Sequence, residues 1–435
     1  MKFAVCTLGC KVNAYESEYV INEFKKAGYE LTNFTNKADV YIINTCTVTN
    51  TSDQKSRKMI RKARRSNESA LVVVMGCYSQ IRENDASLLD VADVVIGNTN
   101  KSEILKIVNE ALKSRRKILM VEDVMNAPFE DMEISEFNTK TRAYVKIEDG
   151  CENYCTYCII PYVRGKVRSK KKDKVIKEVK ALVSQGHKEI VLTGIHTGHY
   201  GADLKDYDFS DLLLELEQIK GLKIIRISSI EITELNDKFL DALKKSKKIA
   251  NHLHIPLQAG SNHVLKLMNR KYDLEYYLNK INEIRKIRPE IAITTDVIVG
   301  FPKESDDDFE NTVKFISKVN FAGGHVFPYS VRKKTPAANM EGQLTGEVKH
   351  QRSRRLIALF NELESNYYKR YVGKVVTVIP ETYEDGYLIG HTDNYLKVRF
   401  KGCEGLIGKT VLVKGDIVSN NTLLASVIKK ASGVV

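Results

Sequence analysis

The apolar residues of this chain fall into two successive series of short runs separated by amphipathic stretches, and then into a third series with no amphipathic stretch between its runs. Between residues 1 and about 125, KFAVCTL, DVYIINT, ALVVVMG and VADVVIG alternate with stretches such as YESEYVINEFKKAG and KSEILKIVNEALKS, whose apolar residues recur at helical spacing. Strand and helix in alternation predict an open parallel α/β sheet. EDVMNAPFEDMEISEFN, over 122–138, loses periodicity, turns acidic and carries a proline, which predicts a linker. The alternation resumes from about 140 to 330 with RAYVKIE, KEIVLTG, LKIIRISS, HLHIPLQ, IAITTDVIVGFP and AGGHVFPYS. Six βα units fit a partial or full (βα) barrel, in which ligands gather at the C-terminal ends of the strands. After a helix over about 345–370, KVVTVIPE, GYLIGHT, YLKVRF, KTVLVKG and LLASVI follow one another through Gly-containing turns, as in a small all-β barrel of the OB kind. The expected organisation is an α/β multidomain chain with units at 1–125, 139–366 and 367–433.

A chain with 43% hydrophobic and 28% charged residues buries ordinary cores and is not dominated by disorder. No apolar run approaches the roughly eighteen residues that cross a bilayer, and the opening MKFAVCTLGCKVN breaks its apolar stretch too early for a signal peptide. No membrane association and a cytoplasmic location are expected. Thiols stay reduced there, so the eight cysteines are read as ligands, catalytic groups or core fillers rather than a disulfide framework. The formal charge of +13 favours a polyanionic partner. Basic residues gather at Lys55, Arg57, Lys58, Arg61, Lys62, Arg64 and Arg65, at Arg164, Lys166, Arg168, Lys170, Lys171, Lys172 and Lys174, and at Lys349, Arg352, Arg354 and Arg355. Each cluster alone also suits a solvated face; three together point to nucleic acid.

The sharpest local signal is DGCENYCTYC, which spaces Cys151, Cys155 and Cys158 as C-x3-C-x2-C just after the first strand of the middle region. Three thiols brought so close in a reducing compartment suggest a shared metal site. A structural zinc is normally closed by a fourth nearby Cys or His, and the next histidine along the chain is His187. A [4Fe-4S] cluster held by three cysteines leaves one iron open for a ligand.

With Tyr157 before its last cysteine, the motif resembles the radical S-adenosylmethionine superfamily. The resemblance implies that the open iron takes the methionine moiety of S-adenosylmethionine and that electron transfer cleaves the sulfonium to a 5'-deoxyadenosyl radical. Cys10, Cys46 and Cys77 each follow the C-terminal end of a predicted strand in the first unit, so parallel strands would bring them to one sheet edge. Free cysteines are also commonly small core residues, but LGCKVN, NTCTVTN and MGCYSQ are polar or Gly-containing loops. They are read as a second three-thiolate cluster with an open iron, and Cys403 as structural. Two such clusters in a basic chain resemble the methylthiotransferases over essentially the whole sequence, the C-terminal barrel being the family's TRAM domain. TLGCKVNAYESE resembles the branch acting on N6-threonylcarbamoyladenosine at position 37 of tRNA; sister branches acting on isopentenyladenosine, or on an aspartate of a ribosomal protein, tend to read GCQMN, or GCPKN and GCAKN, at this point.

LTGIHTG, RISSIE, HIPLQAGS and TTDVIVGFP, each ending a predicted strand, also resemble the family's S-adenosylmethionine pocket. Within them Gly194 admits close backbone approach, Glu231 and Gln258 offer polar contacts, and Asp296 offers an acceptor, although polar residues at strand ends also serve as turns and caps. His252 and His254 are read as barrel packing. No GxxxxGK loop is present. Carbon 2 of adenine carries a hydrogen that acid-base groups cannot remove, so radical abstraction is the available route. The resemblance implies that one S-adenosylmethionine methylates a sulfur on the auxiliary cluster and a second yields the abstracting radical. It also implies two [4Fe-4S] clusters, the anticodon stem-loop of tRNA, an electron donor protein and a sulfur source as cofactors and partners. A remoter alternative is a non-enzymatic, zinc-dependent RNA-binding protein.

Overall fold

A computed structural model describes residues 1–81, 88–134, 136–137 and 141–428, with main chain only at 88 and 89. The first sheet contains β1 (Lys2–Thr7), β2 (Glu30–Leu31), β3 (Val40–Thr45), β4 (Leu71–Gly76), β5 (Val94–Ile96) and β6 (Ile118–Met120), ordered β2-β1-β3-β4-β5-β6 with every pair parallel. β3 is buried at every position, as expected of a central parallel strand covered on both faces. The edge strands β2 and β6 are too short and too exposed to stand out in the apolar pattern. α1 (Lys11–Lys26) begins directly at Cys10. α2 (Asn50–Ser66) is capped by Thr49, whose hydroxyl accepts from the Ser52 amide at 3.1 Å.

The middle region supplies β7 (Ala143–Lys146), the antiparallel pair β8 (Glu148–Asp149) and β9 (Arg168–Ser169), then β10 (Glu189–Thr193), β11 (Ile224–Ile227), β12 (His252–His254), β13 (Ala292–Val299) and β14 (Gly323–Pro328). Two parallel three-stranded sheets, β7-β10-β11 and β12-β13-β14, meet at a single parallel bridge between Ile225 and Ile249. The result is an open half-barrel with its six strands in chain order. Ala143, Val145, Ile190, Leu192, Ile225, Leu253, Ile293 and Val297 pack into the main core. Strand side chains alternate, so Arg142, Glu189, Arg226, His252, His254, Thr294 and Asp296 line the concave side. Arg226 Nε donates to Glu189 at 2.5 Å and His254 meets Asp296 at 3.2 Å across adjacent strands there.

The N-terminal sheet and the half-barrel share one hydrophobic core that contains Phe3, Tyr15 and Val108 together with Val145 and Leu253. Described residues of the segment expected as a linker are part of it. Met132, Ile134 and Phe137 are buried in that core, the Met132 carbonyl accepts from the Tyr15 hydroxyl and from Lys170 Nζ at 2.9 Å, and Val124 O accepts from Arg168 at 3.2 Å. Its acidic, aperiodic sequence forms a packed strap.

Beneath α1 lies a buried ionic network. Glu16 meets Lys101 at 2.7 Å, Arg164 at 3.0 Å and Lys146 at 3.2 Å; Asp149 meets Lys146 at 2.6 Å and Arg164 at 3.1 Å. Arg164 also donates to Asn13 at 2.7 Å, and Asn98 donates to Val163 O at 2.7 Å.

The C-terminal barrel is closed in the order β15 (Val375–Glu384), β16 (Tyr387–Thr392), β17 (Lys397–Lys401), β19 (Thr422–Val427) and β18 (Val411–Ser419), around Val378, Leu388, Val398, Phe400, Val413 and Leu423. Tyr367 and Tyr368, at the end of the helix Gly346–Lys369, enter the same core. The barrel sits against the N-terminal ends of the half-barrel strands, where Arg226 donates to the carbonyls of Thr392 and Asp393 at 3.1 and 3.0 Å and Arg142 meets Glu381 at 2.8 Å. Among the described residues, no helix is long and apolar enough to cross a membrane.

Arg164→Met removes the hydrogen bonds to Glu16, Asn13 and Asp149 while leaving both carboxylates a cation, so it is expected to weaken the docking of α1 by about 2–3 kcal/mol, read as lost amide-exchange protection in α1. Burial alone would raise the Glu16 carboxyl, but Arg164, Lys101 and Lys146 outweigh it and hold it below the usual range. A carboxyl lower in the fold than in the unfolded chain contributes its stability in full above about pH 4.3 and loses it as pH falls through the folded value. Acid loss of α1 protection is therefore expected to begin below about pH 4.3 in the wild type and to be smaller in Arg164→Met, where the folded Glu16 carboxyl lies closer to its unfolded value.

Candidate metal centres and active site

The loop carrying Cys151, Cys155 and Cys158 leaves β8 through Gly150, whose φ is +90° and whose absent side chain would lie 1.9 Å from the Lys166 carbonyl. The loop is pinned along its length: Cys151 N donates to Gly165 O at 3.0 Å, Thr156 N and Oγ1 donate to Met268 O and Leu267 O at 3.1 and 2.8 Å, and Cys158 N donates to Cys155 O at 2.9 Å. Arg270 NH1 donates to Cys155 Sγ at 3.1 Å and its other arm pairs with Glu231. Burial pushes the Cys151 thiol up and the Cys158 thiol up to about 12, with the neighbouring cysteines adding to both.

β1, β3 and β4 are neighbours in the first sheet, and Cys10, Cys46 and Cys77 follow their C-terminal ends. Each of Cys46 and Cys10 is electrostatically coupled to Cys77, and burial pushes Cys46 up to about 11. The side chain of Cys46 lies so close to Gly9 that a Cβ there would approach its Cβ to 2.8 Å. Cys46 and Cys77 are buried, and Cys77 packs on Ile159 and Val163; Cys10 is exposed. The loops are thus not wholly solvent-facing as their polarity implied. Arg164 Nε donates to Cys77 Sγ at 3.3 Å. One short helix, Ile160–Arg164, therefore runs from Cys158 of the first site to Cys77 of the second.

Neither triad has its three Sγ atoms all within 4.8 Å of one another. Thiolates on one tetrahedral zinc, about 2.3 Å from the metal, would sit about 3.8 Å apart. Two separate sets of three thiols, close enough to interact yet spread wider than a single zinc allows, fit two larger iron-sulfur clusters. Cys403 is exposed at a turn of the C-terminal barrel, outside both triads and outside the barrel core.

The residues expected around S-adenosylmethionine border the first triad and the concave side of the half-barrel. Tyr157 packs edge-on to Phe301 at 6.4 Å. Glu231 is held by Arg270 and caps the turn Ile232–Glu234. Gln258 takes a left-handed φ of +65° and donates from its main chain to Asp296 O at 2.9 Å. Asp296 faces His254, and its Oδ1 is buried with no protein partner. The room beside Gly194 is taken by Glu148, whose Oε2 lies 2.6 Å from where a Cβ would be, so that glycine admits a side chain of this chain. His252 and His254 share Thr294 Oγ1 at 2.9 and 3.0 Å, and His252 stacks on Tyr395 at 4.9 Å; His254 is a lumen residue more than a packing one.

Sequence reasoning missed the roles of Arg270, Arg164 and the pair His196–Glu234. His196 lies 3.8 Å from Cys151 Sγ, bonds Glu234 and stacks on His199 at 3.9 Å. Burial lowers His196 to about 4 and raises Glu234 to about 7, so at neutral pH the imidazole is neutral and the carboxyl is about half protonated. His196 stands within LTGIHTG and Arg164 within a basic cluster, but only the fold brings these residues to the cysteines.

Two of the three basic clusters are partly internal: Arg164, Arg168 and Lys170 are buried in ion pairs and Arg352 is buried against Glu304 at 2.6 Å, whereas Lys166, Lys171, Lys172, Arg354 and Arg355 are exposed, Arg355 pairing with Glu310. The α2 cluster keeps Lys55, Lys58, Arg61 and Lys62 on its outer face, whereas Arg64 folds back onto Asp93 at 2.6 Å.

The model of the Radical SAM superfamily matches residues 145–316, and that of Uncharacterized protein family UPF0004 matches residues 2–97. Threonylcarbamoyladenosine tRNA methylthiotransferase MtaB of Bacillus subtilis (strain 168) is 48% identical over 415 residues, covering 94% of this chain and 92% of the relative. A tRNA-2-methylthio-N(6)-dimethylallyladenosine synthase of Clostridium botulinum (strain Hall) is 36% identical over 95% of this chain and 94% of its own length. In fold, the chain resembles the radical S-adenosylmethionine methyltransferase TsrM of Kitasatospora setae, solved with cobalamin and a [4Fe-4S] cluster, with TM-score 0.56 and 13% identity over 78% of this chain and 76% of that one. The half-barrel with three cysteines at its mouth is thus that of a radical SAM protein. More narrowly, the chain belongs to the tRNA methylthiotransferase family, on its threonylcarbamoyladenosine branch.

In metal-free protein at pH 8, iodoacetamide is expected to label exposed Cys403 first. Cys46 and Cys158, held neutral by burial, should react roughly a hundredfold more slowly and accelerate as pH rises toward 11–12. Peptide mass mapping reads the order; equal rates at all three would contradict the buried geometry.

Proposed function

We propose that this chain replaces the C2 hydrogen of N6-threonylcarbamoyladenosine, at position 37 of tRNA, with a methylthio group. Cys151, Cys155 and Cys158 would hold the [4Fe-4S] cluster that engages S-adenosylmethionine, and Cys10, Cys46 and Cys77 the auxiliary cluster. The observation that carries the reading is the pair of three-cysteine sites joined by one short helix, Ile160–Arg164, whose ends touch both. When bound, the clusters and S-adenosylmethionine supply the radical that takes the hydrogen and the sulfur that replaces it.

The chain's own residues do the positioning. Arg270 holds Cys155 and Glu231 in one arrangement, and the neutral imidazole of His196, backed by Glu234, borders Cys151. Tyr157, Glu231, Gln258 and Asp296 are the contacts offered to S-adenosylmethionine; Gly194 serves indirectly, by making room for Glu148. The functional units are 1–125, 139–366 and 367–433, with the first carrying the auxiliary site and the last acting as a TRAM domain. The substrate base must leave its loop to reach the lumen, water being excluded around it. An electron donor protein, a sulfur source and a cytoplasmic setting complete the reading.

The RNA backbone is held by the outer face of α2 and by β17, whose exposed Lys397, Arg399 and Lys401 alternate with buried residues, Arg399 lying 4.0 Å over the Tyr387 ring. A basic stripe with an aromatic platform suits single-stranded RNA.

The deciding experiment is anaerobic incubation of reconstituted protein with S-adenosylmethionine, a reductant and tRNA from cells lacking this gene, followed by nucleoside mass spectrometry. Methylthio-threonylcarbamoyladenosine is the expected product. Cys155→Ala should abolish 5'-deoxyadenosine formation, whereas Cys46→Ala should keep it and lose sulfur insertion; insertion by Cys46→Ala would refute the auxiliary assignment. An isopentenyladenosine product would move the chain to the sister activity of the 36% relative. Replacing Arg61, Lys397 or Arg399 by Ala should each weaken tRNA binding and reduce the slope of log affinity against log salt by about 1.

A further inference from the structure

The Cys46 segment is tied to the half-barrel by an arginine that the reading above leaves unused. Arg332 stands in the loop that leaves β14, and its buried guanidinium reaches into the N-terminal unit. NH2 donates to Thr47 Oγ1 at 2.7 Å, and NH1 donates to Asp53 Oδ2 and Asn50 Oδ1, both at 2.8 Å. Thr47 follows Cys46 directly, and its hydroxyl donates in turn to Asp53 Oδ1 at 2.7 Å. Ser56, further along α2, donates to Cys46 O at 3.1 Å. The Cys46 loop and the first turns of α2 are thus gathered on one side chain.

The same loop reaches the first triad. Thr335 donates through N and Oγ1 to the Arg332 carbonyl at 3.2 and 2.7 Å, and Ala337 N donates to Thr156 O at 2.9 Å. Thr156 follows Cys155 directly. The stretch 332–337 therefore joins the residue after Cys46 to the residue after Cys155, and Thr47, Arg332, Thr335 and Ala337 are all buried. Stability does not account for this arrangement. Arg332 Nε is buried without a partner, and a buried ion pair repays little beyond its own desolvation. What a guanidinium fork supplies is fixed angles to several acceptors at once. Such precision matters when chemistry begun at one site is completed at another. Hydrogen abstraction at C2 leaves a carbon radical that has to meet sulfur at the second site, and a misplacement of about 1 Å can cost about a hundredfold.

We propose that Arg332 is a positioning residue that holds the Cys46 side of the auxiliary site at working distance from the first triad, so that hydrogen abstraction is followed by sulfur insertion. The inference rests on the proposed methylthiolation. Arg332 acts through Thr47 and Asp53, not on the substrate itself.

Two measurements on the full chain test it. In metal-free protein at pH 8, iodoacetamide labelling of Cys46 should accelerate roughly tenfold in Arg332→Gln as its loop opens more often, while Cys158 keeps its wild-type rate. In reconstituted protein under anaerobic conditions, the yield of methylthiolated nucleoside per 5'-deoxyadenosine should fall roughly tenfold in Arg332→Gln at unchanged iron content. Arg332→Lys should restore part of that yield. Thr47→Val, which removes the shared hydroxyl and keeps the shape, should lie between the wild type and Arg332→Gln in both measurements. A merely structural arginine would lower 5'-deoxyadenosine and product in proportion. An unchanged ratio, or Cys46 labelled no faster, therefore overturns the proposal. If Arg332→Gln does not retain its iron, Thr47→Val decides by the same two criteria. If the wild type forms 5'-deoxyadenosine but methylthiolates no nucleoside, the reading of the reaction falls and the coupling with it, whereas the labelling comparison still decides whether Arg332 fixes the Cys46 loop.

Discussion

Arg164 is the side chain on which the arrangement turns. It is fully buried and reaches Glu16 and Asn13 of α1, Asp149 at the root of the first cysteine loop, and Cys77 of the second triad. One guanidinium thus fixes the distance between two sites that lie far apart in sequence. Its planar fork suits this task, since several acceptors can be held at once at fixed angles. The network around it is unbalanced: Lys101, Lys146, Arg164 and Arg168 meet Glu16 and Asp149, four cations to two carboxylates. Burying excess positive charge is costly unless an anion lies alongside. Although Cys10 reaches the surface, desolvation by the surrounding protein pushes its thiol up, and Arg164 pulls against that. Three thiolates around an iron-sulfur core carry net negative charge and would complete the balance, so the network is better suited to a filled second site than to three thiols.

How far such a device can be read from sequence depends on what its residues look like locally. Cys151, Cys155 and Cys158 share one loop, and Cys10, Cys46 and Cys77 follow apolar runs that could only be parallel strands, so period and chain order sufficed to bring each set together. The six half-barrel strands and the closed C-terminal barrel were readable for the same reason. Arg164, Arg168 and Lys170 were not: an arginine in a basic stretch has the same local pattern whether it meets phosphate or a buried glutamate. They were therefore read as a face for polyanions, and the fold turns them inward. The segment expected as a linker misled in the opposite direction, because acidic residues and a proline suggest solvent while, among its described residues, Met132, Ile134 and Phe137 are in the core. Gly194 marked a close approach correctly, but only the fold identifies Glu148 as what approaches.

On the proposed reading, the C-terminal barrel connects the substrate's backbone to the chemistry. Tyr395 lies under Arg142 at 5.5 Å and Arg226 at 4.9 Å and stacks on His252, so one loop of the barrel forms the floor of the half-barrel lumen. On the outer face of the same small barrel, β17 carries Lys397, Arg399 and Lys401. A barrel closed through five strands is stiff, with no free edge along which the two faces could shift independently. Whatever engages the outer stripe is held at a fixed distance from the cations that border the substrate cleft. Binding energy gained at the RNA backbone can then be used to hold the base in the lumen, where orientation rather than acid-base strength limits the reaction. On this view the basic charge of the chain has two separate uses. Inside, fixed ion pairs set the geometry between the cysteine sites, and outside, unpaired lysines and arginines attract the polymer that carries the reacting base.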